Sequence, residues 1–318
     1  MSTRGGMLVG FSFRNDRFIP TCSLPLPASI PDPNPNLGEP LATGTIAAAG
    51  DVDGDGLDEV VVAGARVIRK YELMRGDFAL TAEAQVHPDS EVQPAWCFDA
   101  CIGDVNHDGV NEVMLSGIPS PPPFEPDGMT RPITLYVCQW VGKTLTTLWN
   151  DHGGLNLEGP SWVMPITEMR CVCDPANLGP SRLLMKEGAS DVSAGMYDEL
   201  VWSTDGLHRA GYFIIRNDRI QRNVPDNNPA NSAIGCDFAQ VGGKTATLAS
   251  VLHEGDTSEW QGVYFVFRGD TAAQHRVFWS SGHPSTGIIV DLDGKGAGVL
   301  RFVYPRREGG TGFEFYRL

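Results

Sequence analysis

Asp51-Val-Asp-Gly-Asp-Gly-Leu-Asp-Glu59, running directly into Val60-Val61-Val62, decides how the rest of the chain reads. Acids stand at positions 1, 3, 5 and 9 of a short loop, as Asp51, Asp53, Asp55 and Glu59, with Gly56 at position 6. Carboxylates at this spacing can converge on a hard cation. The glycine permits the tight turn, and the backbone carbonyl of Leu57 at position 7 can serve as a further oxygen ligand. Calcium is the natural candidate, because magnesium demands stricter octahedral geometry. The loop is not an ordinary helix-loop-helix calcium hand, since its acid falls at position 9 and not 12. Its flanks, Thr45-Ile46-Ala47-Ala48-Ala49 and Val60-Val61-Val62-Ala63, read as strands. The competing reading is a solvated, metal-free Asp-Gly turn.

A second copy favours the metal. Asp104-Val-Asn-His-Asp-Gly-Val-Asn-Glu112 precedes Val113-Met114-Leu115 and repeats the pattern with Asp104, Asn106, Asp108 and Glu112, the carbonyl of Val110 again at position 7. Three further slots, Asp174-Pro-Ala-Asn-Leu-Gly179, Asp237-Phe-Ala-Gln-Val-Gly242 and Asp291-Leu-Asp-Gly-Lys-Gly296, keep the leading acid and a glycine but lose most ligands. Arg182 would oppose a cation in the first of them, and Lys295 can satisfy the last turn electrostatically without a metal. The expectation is two structural calcium ions and three empty slots.

The leading acids are spaced by 53, 70, 63 and 54 residues. Repeats of this length, each with about four short strands, must stack to bury their faces, and radial closure gives a β-propeller. The sequence therefore predicts an all-β chain forming a single domain over residues 1–318, a propeller of five blades, or six if residues 7–20 form a separate imperfect blade. The approximate units are 41–93, 94–159, 160–228, 229–283 and 284–318, the last completed by 7–20. Pairing of the N- and C-terminal strands is expected to close the ring. Residues 20–40 are proline-rich and read as a surface connection. Arg14-Asn-Asp-Arg17 recurs as Arg216-Asn-Asp-Arg219.

Composition excludes several function classes. The 318 residues carry a formal net charge of −15, which argues against a nucleic-acid backbone or an anionic membrane as partner. No apolar run approaches a membrane span. The first ten residues do not read as a secretory signal. Seven cysteines at irregular spacing read as free, mostly buried thiols in a reducing compartment. A cytoplasmic location is expected, or a secreted one if a signal has been removed.

The strand–Asp-x-Asp/Asn-x-Asp-Gly-x-x-Glu–strand units at 51–59 and 104–112 resemble the FG-GAP/VCBS repeat proteins, the group that includes the integrin alpha propeller. Glutamate stands here where that family usually ends its loop in aspartate. The other three slots match in hydrophobic context, leading Asp and central Gly. The resemblance implies a calcium-stabilised propeller, usually of six or seven blades, in a group spanning adhesion modules, lectins, polysaccharide lyases and fungal biosynthetic proteins.

If the metal loops occupy one face of the ring together with the Arg-Asn-Asp-Arg turns, function sits on the other. The residues assigned there include His87, His152, His208 and His283 as acid–base candidates, with Arg209 and Arg306 to stabilise charge. Trp96, Trp162 and Trp279 can stack on a ligand, and Asp99 and Glu168 on inner strands can present carboxylates to the channel. Ordinary loop and packing roles are the alternative for each. The connections between units differ in length and residue type, which favours one composite pocket over a pocket repeated in every blade. The reading is a lyase, cyclase or isomerase without an organic cofactor, acting on a small molecule or glycan. A carbohydrate-binding or adhesion propeller is the alternative.

Overall fold

The computed structural model describes residues 7–15, 17–26, 46–63, 67–85, 93–120, 134–150, 166–172, 181–187, 196–216, 219–222, 233–241, 244–254, 260–268, 272–277, 287–292, 296, 298–303 and 312–317. Every regular element among them is a strand, and every strand pairing is antiparallel. The strands make six sheets. A hairpin of β1 (Met7–Arg14) and β2 (Arg17–Pro25) comes first. The next sheet holds β3 (Ile46–Gly50), β4 (Glu59–Ala63), β5 (Val67–Met74) and β6 (Asp77–Gln85). It is followed by β7 (Gln93–Gly103), β8 (Glu112–Ser120), β9 (Thr134–Val141) and β10 (Thr144–Asn150). The five-stranded sheet contains β11 (Ile166–Val172), β12 (Arg182–Glu187), β13 (Met196–Ser203), β14 (Gly206–Arg216) and β15 (Arg219–Arg222). Then come β16 (Ala233–Val241), β17 (Lys244–Glu254), β18 (Trp260–Arg268) and β19 (Ala272–Val277), and last β20 (Gly287–Val290), β21 (Gly298–Val303) and β22 (Gly312–Arg317).

Strands buried on both faces read as continuous apolar runs, because neither face meets water. Val60-Val-Val-Ala63 is such a run. Val61, Ala63 and Ile68 join one core with Val113, Leu115, Tyr136 and Cys138 of the following sheet. Val62 and Tyr71, on the other face, pack with Leu8 and Leu26 of the first hairpin. The period of two continues one sheet on, where Met114, Leu135 and Val137 turn away from that core to meet Met169, Leu183 and Met185. Each buried aliphatic side chain contributes roughly 1.5–3 kcal/mol, so the sheets hold one another face to face in chain order. The first strands follow the same order: β3 packs beside β7, β7 beside β11, β11 beside β16 and β16 beside β20.

Four expectations need correction. The terminal strands do not share a ladder among the described residues: β1 pairs with β2, and β22 with β21. The close Arg14–Arg17 pairing gives β1 a nearer partner, and the ends meet through the rings of Phe13 and Phe315, 5.4 Å apart. β2 runs through Pro20 to Pro25, into the stretch read as a connection. Prolines are tolerated there because β2 pairs on one side only among the described ladders. Asp237 is not in a loop. It lies within β16 opposite Leu248, and the strand continues to Val241 before pairing with Lys244.

The fourth correction concerns the five-stranded sheet. Ser203 pairs with Gly206 across a two-residue turn ending in Asp205, so β14 begins at Gly206. Asp-Gly is a strong hairpin signal, and it went unread in the sequence. A Cβ at Gly206 would fall inside the Trp149 indole of the preceding sheet, and its φ of +124° favours glycine as well. Because β14 starts there, its hairpin with β15, between Arg216 and Arg219, turns at the edge opposite the loop slots. The Arg-Asn-Asp-Arg turn of this sheet is therefore not on the loop side.

Candidate metal centre

Both acidic loops fold around their own carboxylates. In the first, Asp51 Oδ2 accepts the Gly56 N–H at 3.0 Å and Oδ1 accepts that of Gly54 at 2.7 Å. Asp55 accepts the Leu57 N–H at 2.8 Å, and Glu59 reaches back to the Val52 N–H at 3.0 Å. The second loop repeats the clasp. Asp104 accepts from Gly109 and Asp108 at 3.1 Å, Asp108 accepts from Val110 at 2.8 Å, and Glu112 accepts from Val105 at 2.9 Å. Gly56 and Gly109 have φ of +86° and +89°, which a β-carbon disfavours. The fifth slot keeps the first link of the clasp, Gly296 N–H to Asp291 at 3.2 Å, although its positions 5 and 9 are Lys295 and Val299. The leading acid and the glycine suffice for this first link, so the remaining acids, which also accept backbone N–H groups in the two intact loops, are free to take a further role.

That remaining role fits a cation. Carboxylate oxygens of Asp51, Asp53 and Glu59 lie within 4.8 Å of one another, as do those of Asp104, Asp108 and Glu112. Each accepting oxygen keeps a second lone pair, and an all-oxygen donor set suits a hard divalent ion. Asp55 stands outside the first triad, held by its bond to Leu57. The position-3 side chain of the second loop, Asn106, accepts the Asp108 N–H at 2.8 Å. Leu57 is 69% exposed and Val110 half-buried, so the position-7 residues lie at the loop tips.

The two closing glutamates are buried, and burial raises the pKa of both. Glu112 is pushed up to about 7, against the N–H bonds from Val105 and Asn106 and with the help of the Asp108 and Asp104 charges. Buried carboxylates gathered at one point resist ionisation until positive charge arrives. The first loop has such charge in place, because the Lys70 ammonium hydrogen-bonds Asp53 Oδ2. The second has a neutral donor instead, Gln139, whose amide lies 3.0 Å from Asp108 Oδ2 and 3.4 Å from Glu112 Oε1.

The loops are also joined to each other. Asn111 Nδ2 donates to the Asp51 carbonyl at 2.7 Å. One sheet further on, Ser181 N–H donates to Nε2 of His107, itself in the left-handed region at φ +63°. Three consecutive sheets are tied in this way along the edge that carries the loops.

The expected ligand and catalytic residues fare differently. His208 lies beside the Ser203–Gly206 turn, exposed, 2.9 Å from Asp205. That turn is on the loop edge, which corrects its assignment to the opposite face. The Ser203 hydroxyl and then His208 hold the Asp205 carboxyl below its usual range. Arg209 is engaged by Asp198, with Nη2 2.6 Å from Oδ1, and its guanidinium stands 5.0 Å from the Tyr212 ring centre. Asp198 is 1% exposed, and burial raises its pKa despite the arginine. Asp99 ties two sheets together by accepting the Met169 N–H at 2.6 Å. Trp96 and Glu168 fall in β7 and β11 by backbone position. His87, His152, His283, Arg306, Trp162 and Trp279 lie outside the described residues. Sequence reasoning missed Lys70 and Gln139. Their role depends on which residue of the neighbouring strand lies beside the loop, and that is a matter of register.

Comparison with known proteins adds two findings. Among solved structures the chain is similar to the rhamnogalacturonan lyase YesW, at 14% identity and a TM-score of 0.46, over 99% of this chain and 65% of that one. This chain spans 65% of the length of that relative. No curated protein matches. The model of the family described as FG-GAP-like repeat matches residues 41–115. The stretch that holds both acidic loops is therefore FG-GAP-like repeat sequence, consistent with the FG-GAP/VCBS repeat family.

Proposed function

We propose that the chain is a calcium-stabilised β-propeller whose catalytic or binding chemistry lies on the edge opposite its acidic loops. Face-to-face stacking of successive sheets, with first strands side by side and the end sheets meeting at Phe13 and Phe315, supports radial closure. Asp51, Asp53 and Glu59 would hold one calcium ion, and Asp104, Asp108 and Glu112 the other. Calcium would supply charge neutralisation and rigidity there. The observation that carries the structural role is the clasp: the carboxylates of both loops already organise their own backbone, and the loops are tied to each other.

The function we assign to the other edge is that of a lyase, cyclase or isomerase acting on a small molecule or glycan without an organic cofactor. The strand ends at that edge are joined by connections as unequal as 64–66, 86–92, 121–133 and 151–165. Unequal connections build one composite pocket more readily than a pocket repeated blade by blade. His87, His152 and His283 are the acid–base groups of this reading and Arg306 its charge stabiliser. His208 and Arg209 leave the set, because their partners are Asp205 and Asp198.

A screen of glycans and of terpenoid- and polyketide-like compounds tests it, on the native protein and on His87→Ala, His152→Ala and His283→Ala. Turnover lost in at least one variant is the expected result. Unchanged turnover in all three overturns the catalytic assignment, and saturable glycan binding without turnover makes the protein a lectin.

A further inference from the structure

We propose that Lys70 is a tethered cation which occupies part of the first acidic loop and lowers its calcium affinity below that of the second. The proposal rests on the calcium reading above. Lys70 is 4% exposed, and its ammonium hydrogen-bonds Asp53, a member of the first carboxylate triad. Its strand position explains how it gets there. Lys70 pairs with Val61 across β4 and β5, on the face that packs against the next sheet. The same register in the following sheet pairs Met114 with Val137. Val137 thus stands where Lys70 stands, wholly buried and apolar, and the second loop receives no ammonium from that site.

A buried ammonium must keep a carboxylate partner, since desolvation without one is expensive. A divalent ion entering the first triad therefore meets a positive charge on one of its three ligands. The first loop also carries additional acids, Asp55 and Asp58, which attract a cation. Both are exposed, so water and salt screen them. Lys70 is buried and in direct contact with a ligand atom, so its repulsion is screened least. The second loop offers the opposite arrangement, three carboxylates with the neutral amides of Gln139 and Asn106 beside them. The first loop is thereby charge-compensated without metal, and the second responds to metal.

Calcium titration calorimetry on chelator-stripped protein tests the inference, with Lys70→Met, Lys70→Gln and Asp108→Ala beside the native chain. Two classes of site are expected in the native protein. Asp108→Ala should lose the tighter one, and both Lys70 variants should tighten the weaker one by about tenfold or more. The rise in melting temperature on adding calcium should also be larger in the Lys70 variants, a measurement that works even if they need calcium to stay folded. Equal native affinities, or a weaker site unmoved in both Lys70 variants, overturns the proposal and leaves the calcium reading intact. No heat and no melting shift in any protein overturns the calcium reading itself.

Discussion

The loops 51–59 and 104–112 share a clasp and differ in what stands beneath it. Both use Asp–Gly and Glu–N–H bonds of nearly equal length. Under the first lies an ammonium, and under the second a neutral amide. The difference shows that a repeat can keep its backbone while changing the charge beneath it. Burial raises both closing glutamates, Glu112 to about 7, and beside Glu59 the Lys70 ammonium works against that rise.

The largest expected effect separates the two glutamates. Glu112→Ala leaves the buried N–H of Val105 and the half-buried N–H of Asn106 without their acceptor and should cost about 3 kcal/mol by urea unfolding in chelator. Glu59→Ala strands Val52 alone and should cost less. Equal losses would erase the contrast. Next is the metal: calcium at about a hundredfold over its dissociation constant should add ~2.7 kcal/mol. An Asp51→Ala, Asp104→Ala double variant should bind less calcium than the native chain, and unchanged stoichiometry would sink the calcium assignment.

The pH dependence follows in size. The folded pKa of Glu112 lies above its ordinary value of 4.5, at about 7. The folded state therefore holds its proton more tightly than the unfolded one. In chelator, the contribution is full below the ordinary value and is lost as pH rises through about 7. The loss should be on the order of 2 kcal/mol, and Glu112→Gln should flatten that part of the stability profile. Smaller still, Gly109→Ala and Gly296→Ala each force a β-carbon to positive φ with open space around it, costing about 1 kcal/mol. Similar losses in the two would confirm that the turn is independent of metal. Asn111→Ala should cost the least, ~0.5–1 kcal/mol, and should uncouple calcium binding at one loop from the other in calorimetry.

Local features were legible in the sequence and register-dependent ones were not. The acidic spacing predicts the clasped turns because each carboxylate acts on backbone only a few residues away. The run Val113-Met114-Leu115 reads as an apolar strand for the same local reason. Lys70 reaches Asp53 only because β5 pairs with β4 as it does, and Arg209 finds Asp198 only across β13 and β14. A loop read at Asp237 became a strand because a Val241–Lys244 hairpin needs no slot. The turn at Gly206 carried a local signal, Asp205-Gly206, which went unread.

The Asn111–Asp51 and Ser181–His107 bonds have a mechanical consequence. They stitch three sheets along one rim, like leaves of a fan fastened at the pivot. Such leaves should splay more easily away from that rim. Amide exchange is expected to be slower at Val52, Val105 and Ser181 than at strand ends on the other rim, such as Ser120 and Thr134. Any widening that admits a ligand would then swing about the loop rim, and an ion bound there would stiffen the swing from a distance.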